Sequence, residues 1–171
     1  YRRHFPAINW LTSYSLYLDR LDEWYRSEAS EEWVKLRQEA MTILQEESQL
    51  EEIVRLVGVD ALSVKDRLIL ETARSIREDY LHQNAFHDVD TYTSLDKQFK
   101  MLKLILEFHR LGQQALESGA ELSQVTNLTV RERIGRAKYI PEDQLDQLDD
   151  IMKELREQMS SLMSEGGLGY A

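Results

Sequence analysis

Two short aromatic segments carry most of the chemistry this chain has to offer. His4-Phe5-Pro6-Ala7-Ile8-Asn9-Trp10 stands near the start, and Phe86 to Tyr92 separates two long helical patterns about eighty residues later. Two aromatic faces brought together clamp a planar ring by stacking and by excluding water, which is half of a nucleotide pocket. The phosphate half is missing. The sequence has no G-x-x-x-x-G-K-[ST] run, whose backbone amides, lysine and hydroxyl would cradle phosphates and magnesium. With no Cys there is no thiolate, disulfide or redox pair, and His4, His82, His87 and His109 lack the spacing of a metal-ligand set. Each His is read as a surface, capping or core residue. Asp88 and Asp90 are close in sequence, which does not by itself place two carboxylates around a substrate. No catalytic and no metal-ligating residue is assigned.

The elements that must position these segments are helices. A chain of 171 residues with 42% hydrophobic residues can build one substantial core, and seven Gly and two Pro leave little material for a loop-rich β fold. Trp33, Leu36, Ala40, Ile43 and Leu44 recur at helical spacing, and Leu50, Ile53, Val54 and Val57 continue the stripe to Gly58. Ser63 is a helix cap with Asp66 as its capping-box partner, opening a helix that turns Leu62, Ile69, Ala73, Ile76 and Tyr80 inward. His82 to Thr93 reads as a connection. The next helix carries two stripes, Leu95-Phe99-Leu102-Leu106 and Met101-Ile105-Phe108-Ala115, so it is covered on more than one side.

Gly119 ends that helix, and Thr129 with Glu132 forms a second capping-box candidate before Ile134 and Ala137. Pro141 restarts the chain into a last helix, where Leu145, Leu148, Met152, Leu155, Met159 and Leu162 make a seam for one neighbour. Glu165 to Gly169 is expected to be a loose tail. The predicted fold is all-α, a multi-helix orthogonal bundle of roughly six to eight helices.

The charge narrows the partners. Asp and Glu number 31 against 21 Lys and Arg, a net charge of -10, and no basic run is evident in the sequence. Nucleic acid and a membrane surface are therefore not expected as direct partners, since each would meet net repulsion. No stretch reaches the roughly 20 apolar residues of a membrane span, and the start is not a signal peptide. A chain starting at Tyr1 is expected to be a piece of a longer protein.

The segment from His4 to Ser15, the run Val57-Gly58-Val59-Asp60-Ala61-Leu62-Ser63-Val64-Lys65-Asp66-Arg67-Leu68, and Gln83-Asn84-Ala85-Phe86-His87-Asp88-Val89-Asp90-Thr91-Tyr92 occur in that order. Together they resemble the carboxy-terminal helical region of the catalytic A (alpha) subunit of V-type and archaeal-type rotary ATPases. The resemblance covers most of the chain, with the last thirty or so residues the least diagnostic.

It implies a fragment of a larger, α/β-containing subunit, with residues 1–22 as the junction to a missing nucleotide-binding core, 23–165 as the helical domain and 166–171 as a flexible tail. It implies an assembly of three A and three B subunits alternating around a central stalk, peripheral on the cytoplasmic side of the membrane. ATP hydrolysis or synthesis there is coupled to proton or sodium translocation. In that reading Phe5, Phe86, Val89 and Tyr92 line the adenine side of the pocket. Asp60, Leu62, Val64 and Asp66 sit at the helix-turn-helix that meets the stalk. ATP or ADP with magnesium belongs to the full subunit, none is expected to bind the fragment tightly, and the fragment is expected to be inactive alone. Arg2, Arg3 and His4 are not assigned to catalysis. The alternative reading is a non-enzymatic acidic helical interaction or scaffold domain.

Overall fold

The structure is a computed structural model that describes residues 32–81 and 95–168. All regular structure among those residues is helical and comprises six α-helices. They are α1 (Glu32–Val57), α2 (Val64–Ser75), α3 (Leu95–Glu117), α4 (Leu122–Thr126), α5 (Thr129–Gly135) and α6 (Asp146–Leu168). The predicted all-α class and helix number are met.

α3 is the centre. Met101, Leu102, Leu104, Ile105, Leu106, Phe108, Leu111 and Ala115 are all buried, so its two stripes face different neighbours. One side meets α1 and α2, and the other meets α6. α1 contributes the buried Trp33, Leu36, Ala40, Ile43, Leu44 and Leu50, as its spacing predicts. The continuation does not follow: Ile53 and Val57 are exposed. Val54 still packs partly against the core, while the faces of the last turns that carry Ile53, Leu56 and Val57 are left uncovered by the described residues. At its far end α2 widens into a π-helical turn, Ile76–Leu81, which the sequence pattern does not distinguish from ordinary helix.

Polar side chains tie the layers. Arg77 in the π turn donates to the buried carboxylate of Glu47 on α1 through Nε and Nη2, at 3.0 and 2.7 Å. Such a forked pair fixes register between two helices, because one misplaced partner would leave a charge in a low-dielectric interior. Arg131 donates to Glu71 Oε2 at 2.6 Å and lies 5.3 Å from the centre of the Phe108 ring, joining α5 to α2 and α3. The fully buried Lys97 donates to the carbonyl of Lys138 at 2.7 Å, and Lys138 in turn donates to the carbonyl of Glu78 at 3.1 Å. One residue thus holds both the start of α3 and the end of α2.

Helix ends repeat the pattern of local prediction and tertiary override. Gly119 has φ +104°, its N–H donates to Leu116 O at 3.2 Å, and the N–H of Ala120 donates to Ala115 O at 3.0 Å. Those two bonds form a Schellman stop, as expected for a glycine there. Thr129 and Glu132 do not make the expected capping box. Leu128 occupies the cap position, and Gln158 of α6 supplies the missing polar group, accepting from Val130 N–H at 3.1 Å and donating to Thr129 Oγ1 at 2.8 Å. A capping box instead forms between Glu121 and Gln124 at the start of α4. α6 accordingly packs on α5 as well as α3, not on one neighbour. It also continues as helix through Leu168, past the point where a loose tail is expected. Extending a helix already anchored by Met159 is far easier than starting one, even through glycine.

Candidate functional site

The turn between α1 and α2 is the most exposed apolar feature among the described residues. α1 runs out to Val57, and Gly58 then takes φ 89° and ψ 163°, a backbone region open in practice only to glycine. A Cβ at Gly58 would meet no neighbour within 4 Å, so the requirement is conformational, not spatial. A single 3-10 turn, Val59–Ala61, follows, with Ala61 N–H and Leu62 N–H donating to Gly58 O and Val59 O. Ser63 then caps α2, its Oγ accepting from Asp66 N–H at 3.1 Å. This is the predicted Ser63 cap.

The turn is built with apolar residues on its outside and one inside. Leu56 is 79% exposed and Val57 66%, with Ile53, Val59 and Val64 also exposed, whereas Leu62 is only 7% exposed and belongs to the core. Leu62 fixes the turn from beneath; it does not present a surface. Asp60 projects into solvent, 3.3 Å from Arg67, in an exposed pair that adds little stability. Asp66 lies in the first turn of α2, where a carboxylate meets the positive end of the helix dipole. Of the residues predicted here, Asp60 and Val64 are outward and Leu62 is inward. Leu56 and Val57, the most exposed apolar side chains of the turn, are additions: sequence reading assigned Val57 to the core stripe and left Leu56 unassigned. The signal available for them was that Leu56 and Val57 are adjacent apolar residues in the last helical turn before Gly58, and neighbours point in different directions around a helix.

Below the turn, α2 is fastened to α3 by Thr72 and His109, whose Oγ1 and Nδ1 share a hydrogen bond of 2.6 Å. Burial, assisted by the positive charge of Lys65, pushes the His109 pKa down from 6.5 to about 4. The imidazole is therefore neutral at neutral pH. On the next turn of the bundle, burial raises the carboxyl of Asp79 above its usual range, with Lys138 opposing that effect. Phe5, Phe86, Val89 and Tyr92 lie outside the described residues. No cluster of three or more His, Cys, Asp or Glu among the described residues is arranged to hold a metal ion. Nor is any described helix long and apolar enough to cross a membrane.

Residues 22–126 match the family model for the C-terminal domain of V and A type ATP synthase. The chain belongs to that family. The V-type ATP synthase alpha chain of Clostridium perfringens is 60% identical over 168 residues, covering 98% of this chain and 28% of the relative. That of Acetivibrio thermocellus is 63% identical over 166 residues, covering 96% of this chain and 28% of the relative. That of Clostridium novyi is 60% identical over 169 residues. The chain thus spans little more than a quarter of the relatives it matches, and the family resemblance drawn from its motifs holds over nearly its whole length.

The His109 environment sets a pH dependence. Since the folded pKa of about 4 lies below the unfolded 6.5, the unfolded chain binds more protons between those values. The stability from keeping His109 neutral is complete above pH 6.5 and is lost as pH falls towards 4, by a total on the order of 3 kcal/mol. Urea midpoints should fall more steeply between pH 6.5 and 5 for the native chain than for His109→Gln. Equal slopes would contradict the buried neutral imidazole.

Proposed function

We propose that this chain is the carboxy-terminal domain of the catalytic subunit of an ion-translocating rotary ATPase or ATP synthase, and that it transmits motion instead of performing phosphoryl chemistry. The observation that carries the reading is the 60% identity to a V-type ATP synthase alpha chain along 98% of this chain. ATP hydrolysis or synthesis, coupling to protons or sodium, an alternating ring with B subunits, a central-stalk contact and a peripheral position on the cytoplasmic side follow from that reading. The same match disfavours a free-standing scaffold.

Within the domain we assign three parts. Residues 1–22 join the nucleotide-binding core, an assignment supported by a family match that starts at residue 22. Phe5, Phe86, Val89 and Tyr92 lie on the adenine side of the pocket, where flat or branched apolar side chains position a base without charge. Magnesium and phosphates are held by residues outside this sequence, which has no phosphate-binding run. The α1–α2 turn meets the central stalk through Leu56, Val57, Val59 and Val64, with Asp60 and Asp66 at the rim and Leu62 holding the turn rigid. An apolar, convex contact suits a surface that must slide, because it has no strong ion pair to break at each step.

In the complete reconstituted enzyme, Leu56→Asp and Val57→Asp should leave assembly and nucleotide binding intact, while ions transported per ATP hydrolysed fall several-fold. Their side chains are exposed, so an effect on folding is not expected, unlike Leu62→Asp, which would force a charge into the core. An unchanged transport ratio in the assembled variants would remove the turn from coupling. Phe5→Ala or Phe86→Ala should weaken nucleotide binding by about 1–3 kcal/mol, the scale of a lost base–aromatic stack. Unaltered nucleotide titrations for both variants would reject the adenine-side assignment while leaving the family intact.

A further inference from the structure

Glu47 is a carboxylate at a position where helical spacing calls for an apolar side chain. It stands between Leu44 and Leu50 on the buried stripe of α1, and it is buried as they are. Arg77, in the π turn that follows α2, donates to it twice, from Nε to Oε1 at 3.0 Å and from Nη2 to Oε2 at 2.7 Å. A core selected for stability alone would carry apolar side chains at both positions, because desolvating two charges offsets most of what their attraction gives. What the fork supplies is direction. Two bonds to a planar group hold one helix against the other at a fixed offset, whereas apolar helix surfaces can shift past one another in shear.

The place of the pair in the hairpin gives that offset a use. α1 and α2 are neighbours joined by the exposed turn, and Glu47 lies ten residues before the last residue of α1, about 15 Å along its axis. At the turn itself the polar tie is weak, since the bond from Arg67 to Asp60 is 3.3 Å long and exposed. A sideways load on Leu56 and Val57 would slide α1 along α2 unless the two are pinned further down, and the fork stands there. Beyond it, Lys138 donates to the carbonyl of Glu78, the residue after Arg77, at 3.1 Å, and its own carbonyl accepts from the buried Lys97 of α3 at 2.7 Å. Movement that reaches Arg77 is thereby handed to the start of the central helix.

We propose that Glu47 and Arg77 are positioning residues for energy coupling. Their fork makes α1 and α2 move as one body, so that displacement of the turn reaches the rest of the domain instead of being absorbed as sliding between two helices. The inference rests on the reading that the turn meets the central stalk.

The test is made in the complete reconstituted enzyme, with ions transported per ATP hydrolysed as the readout and thermal inactivation as the measure of stability. Arg77→Lys keeps the charge but loses the fork. Glu47→Met with Arg77→Met replaces the pair by apolar side chains of similar volume, an exchange that is often neutral or stabilising for a buried ion pair. Both variants should assemble and hydrolyse ATP while the transport ratio falls several-fold. The double variant should do so with no loss of thermal stability, a separation that a merely structural pair would not show. Leu56→Asp is measured alongside. If it lowers the ratio and neither fork variant does, the inference fails and the stalk reading stands. If it also leaves the ratio unchanged, the stalk reading fails and takes the inference with it. A ratio that falls only in step with the inactivation temperature, or loss of assembly in both fork variants, would make the pair a structural tie and overturn the proposal.

Discussion

The bundle depends on α3 being buried along more than one face. A helix of 23 residues is roughly 35 Å long, and one apolar stripe would leave most of it in water. Here Leu102 and Leu106 lie on one stripe, and Met101, Ile105, Phe108 and Ala115 on the other, and all six are buried. Every other helix is placed by that requirement. α1 and α2 close one side and α6 the other, while α4 and α5 fill the end where α3 stops at Gly119. Each buried leucine of α3 contributes roughly 2 kcal/mol by its removal from water, so the central helix outweighs any single polar tie on the surface.

That arrangement explains why the α1–α2 turn stands clear of the core. The Glu47–Arg77 pair fixes the far end of the hairpin, Thr72 and His109 fix α2 to α3, and Leu62 seals the base of the turn. Among the described residues no further layer covers Leu56, Val57, Val59 and Val64, which lie exposed beyond Leu62. A rigid base carrying an uncovered apolar end is a mechanical shape. Gly58 permits the sharp reversal because its φ of 89° is open to glycine, not because a side chain would lack room.

Much of this was legible because helical burial repeats every three to four residues. Most of the stripes of α1, α3 and α6 could be read, as could the Ser63 cap and the Gly119 stop, although Leu104, Leu111 and Ile151 are buried outside the predicted stripes. Local pattern failed where a distant residue decided the outcome. Ile53 and Val57 have helical spacing, but whether anything covers them depends on where α2 turns back. Thr129 looks like a cap until Gln158, nearly thirty residues on, supplies the hydrogen bond from another helix. The Glu121–Gln124 box was missed because glutamate is a poor cap candidate on type alone. For the candidate site, Asp60, Val64 and Asp66 were named from resemblance, while Leu56 and Val57 required the fold.

The central claim is that the exposed apolar turn touches the rotating stalk in the assembled enzyme. Placing the photo-crosslinking residue p-benzoylphenylalanine at position 56 in the complete complex, and identifying the captured subunit by mass spectrometry, tests it most directly. Position 56 is 79% exposed in the domain, so crosslinks report neighbours and not the chain's own core. The account predicts capture of a central-stalk subunit, in different yield when rotation is stalled by nucleotide. Capture confined to the surrounding ring, with no stalk adduct in any nucleotide state, would contradict it.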